Sequence, residues 1–108
     1  MYLIHVHFKG PPSATLPEGV ECLVRSSARV ADRLEHVVAH GRARPYPVLG
    51  LYLVAERAED ARSRAHDMCI RMLRGSPSLH PDWEVVGAEL PAAPPPGRWH
   101  GRGPLPPG

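Results

Sequence analysis

Apolar and polar residues alternate with a period of two in four separate stretches of the chain. These stretches are 2–8, 34–40, 48–55 and 83–90, and this period is typical of β-strands. Two further stretches, one after the first strand and one after the third, repeat apolar residues every three or four positions, which predicts helices. The pattern therefore predicts the order β-α-β-β-α-β, with the Pro-containing segment RPYP as the break of a hairpin between the middle strands.

The predicted strands differ in how their two faces are composed. In the first strand one face is wholly apolar (Tyr2, Ile4, Val6, Phe8) and the other carries Leu3, His5 and His7. In the second strand Leu34, His36, Val38 and His40 share a face. In the third strand both faces are apolar, with Tyr52 and Val54 opposite a row of leucines. A sheet with one solvated face normally alternates cleanly, so we expect another surface to cover the second face.

The helix over 58–74 is the more strongly predicted of the two, because Ala61, Ala65, Met68 and Met72 recur at helical spacing. The first helix is predicted to follow Thr15 and Glu18, which have capping-box spacing, and to reach about residue 29. An alternative continues this helix to residue 40 and leaves three strands. We prefer a break near residue 32, because HVVAH is rich in β-branched residues and four strands make a paired sheet.

This order of elements predicts an α+β domain over residues 1–90 with the ferredoxin-like βαββαβ arrangement. The sheet would be four-stranded and antiparallel, with two helices on one face. The third strand would lie between the first and second, and the fourth beside the first. Residues 91–108 contain seven prolines and four glycines, so we expect a flexible Pro/Gly-rich tail.

Composition excludes several classes of protein. The chain has 108 residues, a formal net charge of +2 and a pI of about 8.8, which is too mild to indicate a nucleic-acid partner. No apolar run approaches the roughly 20 residues of a membrane span. The N-terminus MYLIHVHFKG has neither the basic start nor the cleavage site of a signal peptide, so we expect a cytoplasmic protein.

Histidines are the main candidates for chemistry. His5, His7, His36 and His40 can all lie on the face opposite the helices, with Tyr52 between them. Such imidazoles could line a ligand pocket as general bases, titrate in a pH-dependent interface, or bind zinc, copper or nickel. The predicted strand order separates the two pairs by about 10 Å, too far for one metal. His5 and His7, about 7 Å apart at Cα, could just be bridged by a metal.

Motifs of known groups with this fold are absent. Acylphosphatases have an arginine in a Gly-rich loop after the first strand, where this chain has KGPPSA. RNA-recognition domains place aromatic residues on the two central strands, where the open face of this chain has histidines with only Tyr52 opposite. Metal chaperones of this fold use a CxxC loop, which the sequence lacks. In topology and two-faced apolar strands, residues 1–90 resemble the dimeric α/β-barrel group, which includes small monooxygenases and isomerases. That resemblance implies two sheet faces closing around a pocket.

With no catalytic motif, we expect a non-catalytic interaction or accessory module that homodimerises or binds a protein partner through the open face of its sheet. The alternative is a dimeric-barrel enzyme or small-ligand binder with a histidine-lined pocket. The candidate residues on this face are Leu3, His5, His7, His36, His40, Tyr52 and Val54. In the tail, Arg98, Trp99 and Arg102 form an aromatic-basic cluster like those of peptide ligands.

Overall fold

The computed structural model describes residues 1–40, 46–79 and 81–91. The strands are β1 (Tyr2–Lys9), β2 (Leu34–His40), β3 (Val48–Leu53) and β4 (Glu84–Glu89). The helices are α1 (Val20–Ser27) and α2 (Ala58–Arg74), and a 3-10 turn covers Val30–Asp32. The predicted α+β class, with four strands and two helices, is confirmed. The alternative of one helix reaching His40 is wrong, since β2 occupies that stretch.

The sheet is antiparallel throughout, with the strand order β2-β3-β1-β4. β3 pairs with both β2 and β1, and β4 pairs with the other edge of β1. Above the sheet, α2 contacts β4 and β1, while α1 contacts β2 and α2. The central strands β1 and β3 therefore have a neighbouring strand on each side, and the two helices pack together over one face of the sheet.

The core lies between this face and the helices. Ile4, Val6 and Phe8 of β1 and Leu49, Leu51 and Leu53 of β3 are completely buried. Each such side chain contributes about 1.5–3 kcal/mol by leaving water. The helices supply buried residues at the predicted spacing: Val20, Val24, Ala61, Ala65, Met68, Cys69 and Met72. The predicted apolar face of the first strand and the predicted face of the second helix are thus confirmed.

Two irregularities change which residues share a face. In β2, Leu34 pairs with Leu53 and His36 with the adjacent Tyr52, so Glu35 is an extra residue. Leu34 consequently packs against the core, and the prediction that it shares the face of His36 is wrong. In β4 the register also shifts, with His7 opposite Gly87 and Phe8 opposite Val85. Such bulges flip the alternation that a strict period of two assumes.

The first helix begins later than Thr15 and Glu18 predict. Gly19, at the helix N-cap, has φ 83° and ψ 4°, a left-handed conformation that glycine adopts without a Cβ clash. The chain turns there, and α1 starts at Val20, whose side chain enters the core. The predicted capping box is therefore wrong, and the helix is only eight residues long.

Asp32 ties the connection between α1 and β2 to α2. Its carboxylate accepts a hydrogen bond from Arg71 at 2.6 Å and another from the backbone N–H of Arg29 at 2.7 Å. Arg71 also donates to the backbone carbonyl of Ser27 at 3.1 Å. Only 8 % of Asp32 is exposed, so this pair is shielded from solvent more than ordinary surface salt bridges.

We expect Asp32→Asn to lower the free energy of unfolding by about 2 kcal/mol, because the substitution removes the charged partner of Arg71. Urea denaturation monitored by circular dichroism measures this change. Asp67→Asn is the matched control, because Asp67 is exposed on α2 and its loss should cost less than about 0.5 kcal/mol. Equal effects of the two substitutions would contradict the role given to Asp32.

In the described part of the chain, no helix has the length and apolar character needed to cross a membrane. The predicted tail lies outside the described residues, apart from Pro91. The division between a domain over 1–90 and a tail over 91–108 stays a prediction.

Candidate functional site

The face of the sheet opposite the helices, called here the open face, carries most of the predicted site residues. Strand pairing fixes its layout, because residues opposite one another point to the same side of a sheet. Leu3 is opposite Tyr52, and Tyr52 is opposite His36. His7 is opposite Val48, and Val48 is opposite His40. The predicted face is therefore assembled across three strands.

Val54 is a partial exception among the predicted residues. It lies one residue beyond the end of β3, and its backbone N–H donates to the carbonyl of Arg33. It borders a cavity together with Asp60 and Arg64 of α2. Val54 is thus at the margin of the open face. The tail candidates Arg98, Trp99 and Arg102 lie outside the described residues.

His5 and His40 lie closer together than the strand order predicted. Their ring centroids are 6.2 Å apart, with the ring planes at 69°, although β3 runs between their strands. The expected separation of about 10 Å came from the spacing of two strands in a sheet and took no account of side chains leaning toward each other across β3. The residue opposite His5 on that strand is Gly50, so β3 places no side chain directly beside His5.

Gly50 is the feature that sequence reasoning missed at this site. A Cβ placed there would lie 3.3 Å from Leu3 Cδ1 and 3.6 Å from His5 Cδ2. Leu3 and His5 therefore lean over the Gly50 backbone, and the His5 ring also contacts the ring of His40. A lone glycine inside an apolar strand is a known signal of such close approach.

On the other side of β1, His7 is near a carboxylate. Its Nε2 atom lies 3.5 Å from Glu89 Oε2 of β4, a distance and geometry that do not make a hydrogen bond. Nε2 is nonetheless buried, and Gly87, opposite His7, adds no side chain. Glu89 was not among the predicted site residues, because the face of the sheet on which it lies depends on the β4 bulge.

His36 belongs to a separate contact. Its ring lies over Tyr52, with 5.9 Å between centroids and a tilt of 43°, as expected for directly opposed residues. His36 is exposed while Tyr52 is half-buried. The four histidines therefore form a His5–His40 contact beside His7 and a distinct His36–Tyr52 pair, instead of one convergent cluster.

The surroundings of His5 favour its neutral form. Burial lowers the pKa of His5 below its ordinary value, the nearby His40 and His7 lower it further, and the Glu89 carboxylate opposes this change. The charged or titratable side chains that act on His5 thus come from β1, β2 and β4. A neutral His5 ring beside Leu3 can be covered by another surface at low desolvation cost.

Among the described residues, no three histidine, cysteine, aspartate or glutamate side chains are arranged to hold a metal ion. The predicted pair His5 and His7 is therefore not completed by a third ligand from the described part of one chain. His5 and His40 offer two imidazoles at most, which is fewer ligands than zinc takes in stable protein sites.

Comparison with known proteins gives no match: no protein-family model, no curated protein and no solved structure is significantly similar to the chain. Function must therefore be inferred from the open face itself.

We expect stability to depend on pH through His5. Its pKa is lower in the folded chain, so the unfolded chain takes up this proton first as the pH falls. The stability contributed by neutral His5 is present above the unfolded-state pKa of about 6.5 and is lost as the pH falls through the folded-state pKa. His5→Gln should flatten the decline in unfolding free energy between about pH 7.5 and pH 5, measured by urea denaturation of dilute protein.

The matched control for this experiment is His66→Gln. His66 is on α2, 3.7 Å from Asp67, away from the open face, and its replacement should leave the wild-type profile unchanged. A decline with pH that is as steep in His5→Gln as in wild type would contradict the interpretation.

Proposed function

We propose that the chain is a non-catalytic interaction module that homodimerises through its open face, and that the same face would receive a protein partner of another sequence. The observation that carries this proposal is that both helices cover the same face of the sheet. Both helices pack on the face of the buried leucines, whereas the other face presents half-buried Leu3, Val38 and Tyr52 around the neutral His5. Apolar side chains grouped on a bare sheet face are typical of interaction surfaces.

We further infer that the fold is ferredoxin-like. Counted from its other edge, the sheet order β2-β3-β1-β4 becomes β4-β1-β3-β2. A helix connects β1 with β2, and another connects β3 with β4, which supports the split-βαβ connectivity. Sheets of this kind leave one face without helices, which is the face used in the proposal.

The charges of the open face support contact with a second copy. Lys9 and Glu84 are opposed on β1 and β4, and Glu89 lies beside His7. The rim thus contains both signs of charge, and two copies would not meet as like-charged surfaces. The centre holds Leu3, Val38 and Val48, where an interface needs residues that leave water readily.

Leu3→Asp and Val38→Asp should each weaken self-association by at least about 100-fold, because an unpaired carboxylate would be buried at the centre of the interface. Sedimentation equilibrium measures the mass. The matched control is Val30→Asp, which places the same charge on a residue that is 97 % exposed and outside the sheet. We expect Val54→Asp, at the margin of the face, to have a smaller effect than Leu3→Asp.

Circular dichroism of each variant verifies that it is folded before its mass is interpreted. Variants that remain folded and associate like wild type would contradict the choice of face.

A second candidate function is supported by the contact between His5 and His40. Two sheets closing on each other, as in dimeric α/β barrels, would surround this group and make a small-ligand or metal site. Here His5→Ala would leave the dimer folded while ligand binding disappears.

Zinc, copper and nickel are the metals to test by isothermal titration. If the two imidazoles bind one of them, His5→Ala and His40→Ala should abolish the heat, while His66→Ala should not. No heat with wild-type protein would end the metal hypothesis.

A further inference from the structure

Three arginines that the open face does not use line one cavity beside α1. Arg25 is in the last turn of α1, Arg29 precedes the 3-10 turn, and Arg33 follows it. The cavity measures about 360 Å³, and Ala28, Val30, Leu34 and Glu35 complete its lining. This volume is within the range of sites for small ligands.

The positive charge of this cavity is not balanced locally. Asp32, the acid between Arg29 and Arg33, is turned inward, where its carboxylate binds Arg71. In the described part of the chain, Arg25, Arg29 and Arg33 form no salt bridge. Among the described residues, Glu35 is the one acid that lines the cavity. Three guanidinium groups against one carboxylate leave a net charge equal to the +2 of the entire chain.

The backbone that carries these arginines is fixed from several sides. The Arg33 N–H donates to the carbonyl of Val30, and the Arg33 carbonyl accepts from the N–H of Val54. Arg33 has φ 56° and ψ 45°, a left-handed conformation that costs a non-glycine residue about 1 kcal/mol or more. The surrounding hydrogen bonds, including those of Asp32, hold this conformation. The arginines are therefore presented by a rigid turn.

Two features of the lining restrict what would bind. Guanidinium groups are planar donors whose paired N–H groups match the oxygens of phosphate and carboxylate. A net charge of two is matched by a phosphate monoester, which carries about −1.5 to −2 at neutral pH. Val30, with 97 % of its surface exposed, and the half-buried Leu34 provide apolar contact beside the charges.

We propose that this cavity binds the phosphate group of a small phosphate monoester, with Arg25, Arg29 and Arg33 as ligands of the phosphate oxygens and Val30 and Leu34 in contact with the organic part. The site is separate from the open face and does not depend on self-association. Arg33 also borders a second cavity with Glu56 and Asp60, without a salt bridge to either in the described residues.

The test is a titration of the full chain with phenyl phosphate and with inorganic phosphate at constant ionic strength, followed by amide chemical shifts. We expect saturable shifts over residues 25–35, and binding of phenyl phosphate that is about three- to tenfold tighter because of the apolar contact. Arg29→Gln should weaken binding about tenfold. It keeps the backbone N–H that Asp32 accepts from, so the fold should be unaffected.

Arg57→Gln is the matched control, because it removes one exposed positive charge outside the cavity. Shifts that fail to saturate, or equal weakening by Arg29→Gln and Arg57→Gln, would show non-specific attraction and overturn the site. Equal affinity for the two phosphates would overturn the contact assigned to Val30 and Leu34.

Discussion

The rest of the structure depends on the fact that the helices cover a single face of the sheet. Alternation on β1 and β3 turns Ile4, Val6 and Phe8 toward α1 and α2 together with the leucines of β3. The same alternation necessarily turns Leu3, His5 and His7 the other way. A sheet of four strands has room for two helices on one side, and both described helices pack on that side. Packing in the core therefore determines which residues are offered for contact.

A second constraint acts at the end of α1. The Asp32–Arg71 pair joins residues 39 positions apart and holds the turn between α1 and β2 against α2. Because Asp32 faces inward, its negative charge is not available at the surface. The neighbouring arginines are consequently exposed without an acidic partner in the described chain. One buried interaction thus stabilises the fold and also creates the most unbalanced positive cavity among those described.

The spacing of apolar residues was sufficient to predict all four strands, both helices and the face on which the histidines lie. It could not place the bulge at Glu35, because Glu35 and His36 are both polar and the sequence does not show that the alternation flips between them. For the same reason the prediction that Leu34 lies on the face of His36 was wrong. The approach of His5 to His40 depends on Gly50 lying opposite His5 in the intervening strand. This placement is set by the register between strands, which the spacing of residues within one strand does not reveal. The partner of Arg71 is similarly long-range, whereas helical spacing suggests only local pairs.

The central claim is that a second copy covers the open face. Solvent paramagnetic relaxation, measured with a neutral soluble nitroxide on the methyl groups of Leu3, Val38 and Val30, tests it most directly. As protein concentration rises and the population of dimer increases, the relaxation of Leu3 and Val38 should fall toward that of buried Ile4. The paramagnetic relaxation of the Val30 methyl groups, which lie outside the sheet, should stay high at every concentration. Methyl groups of Leu3 and Val38 that remain equally accessible throughout would contradict self-association through this face.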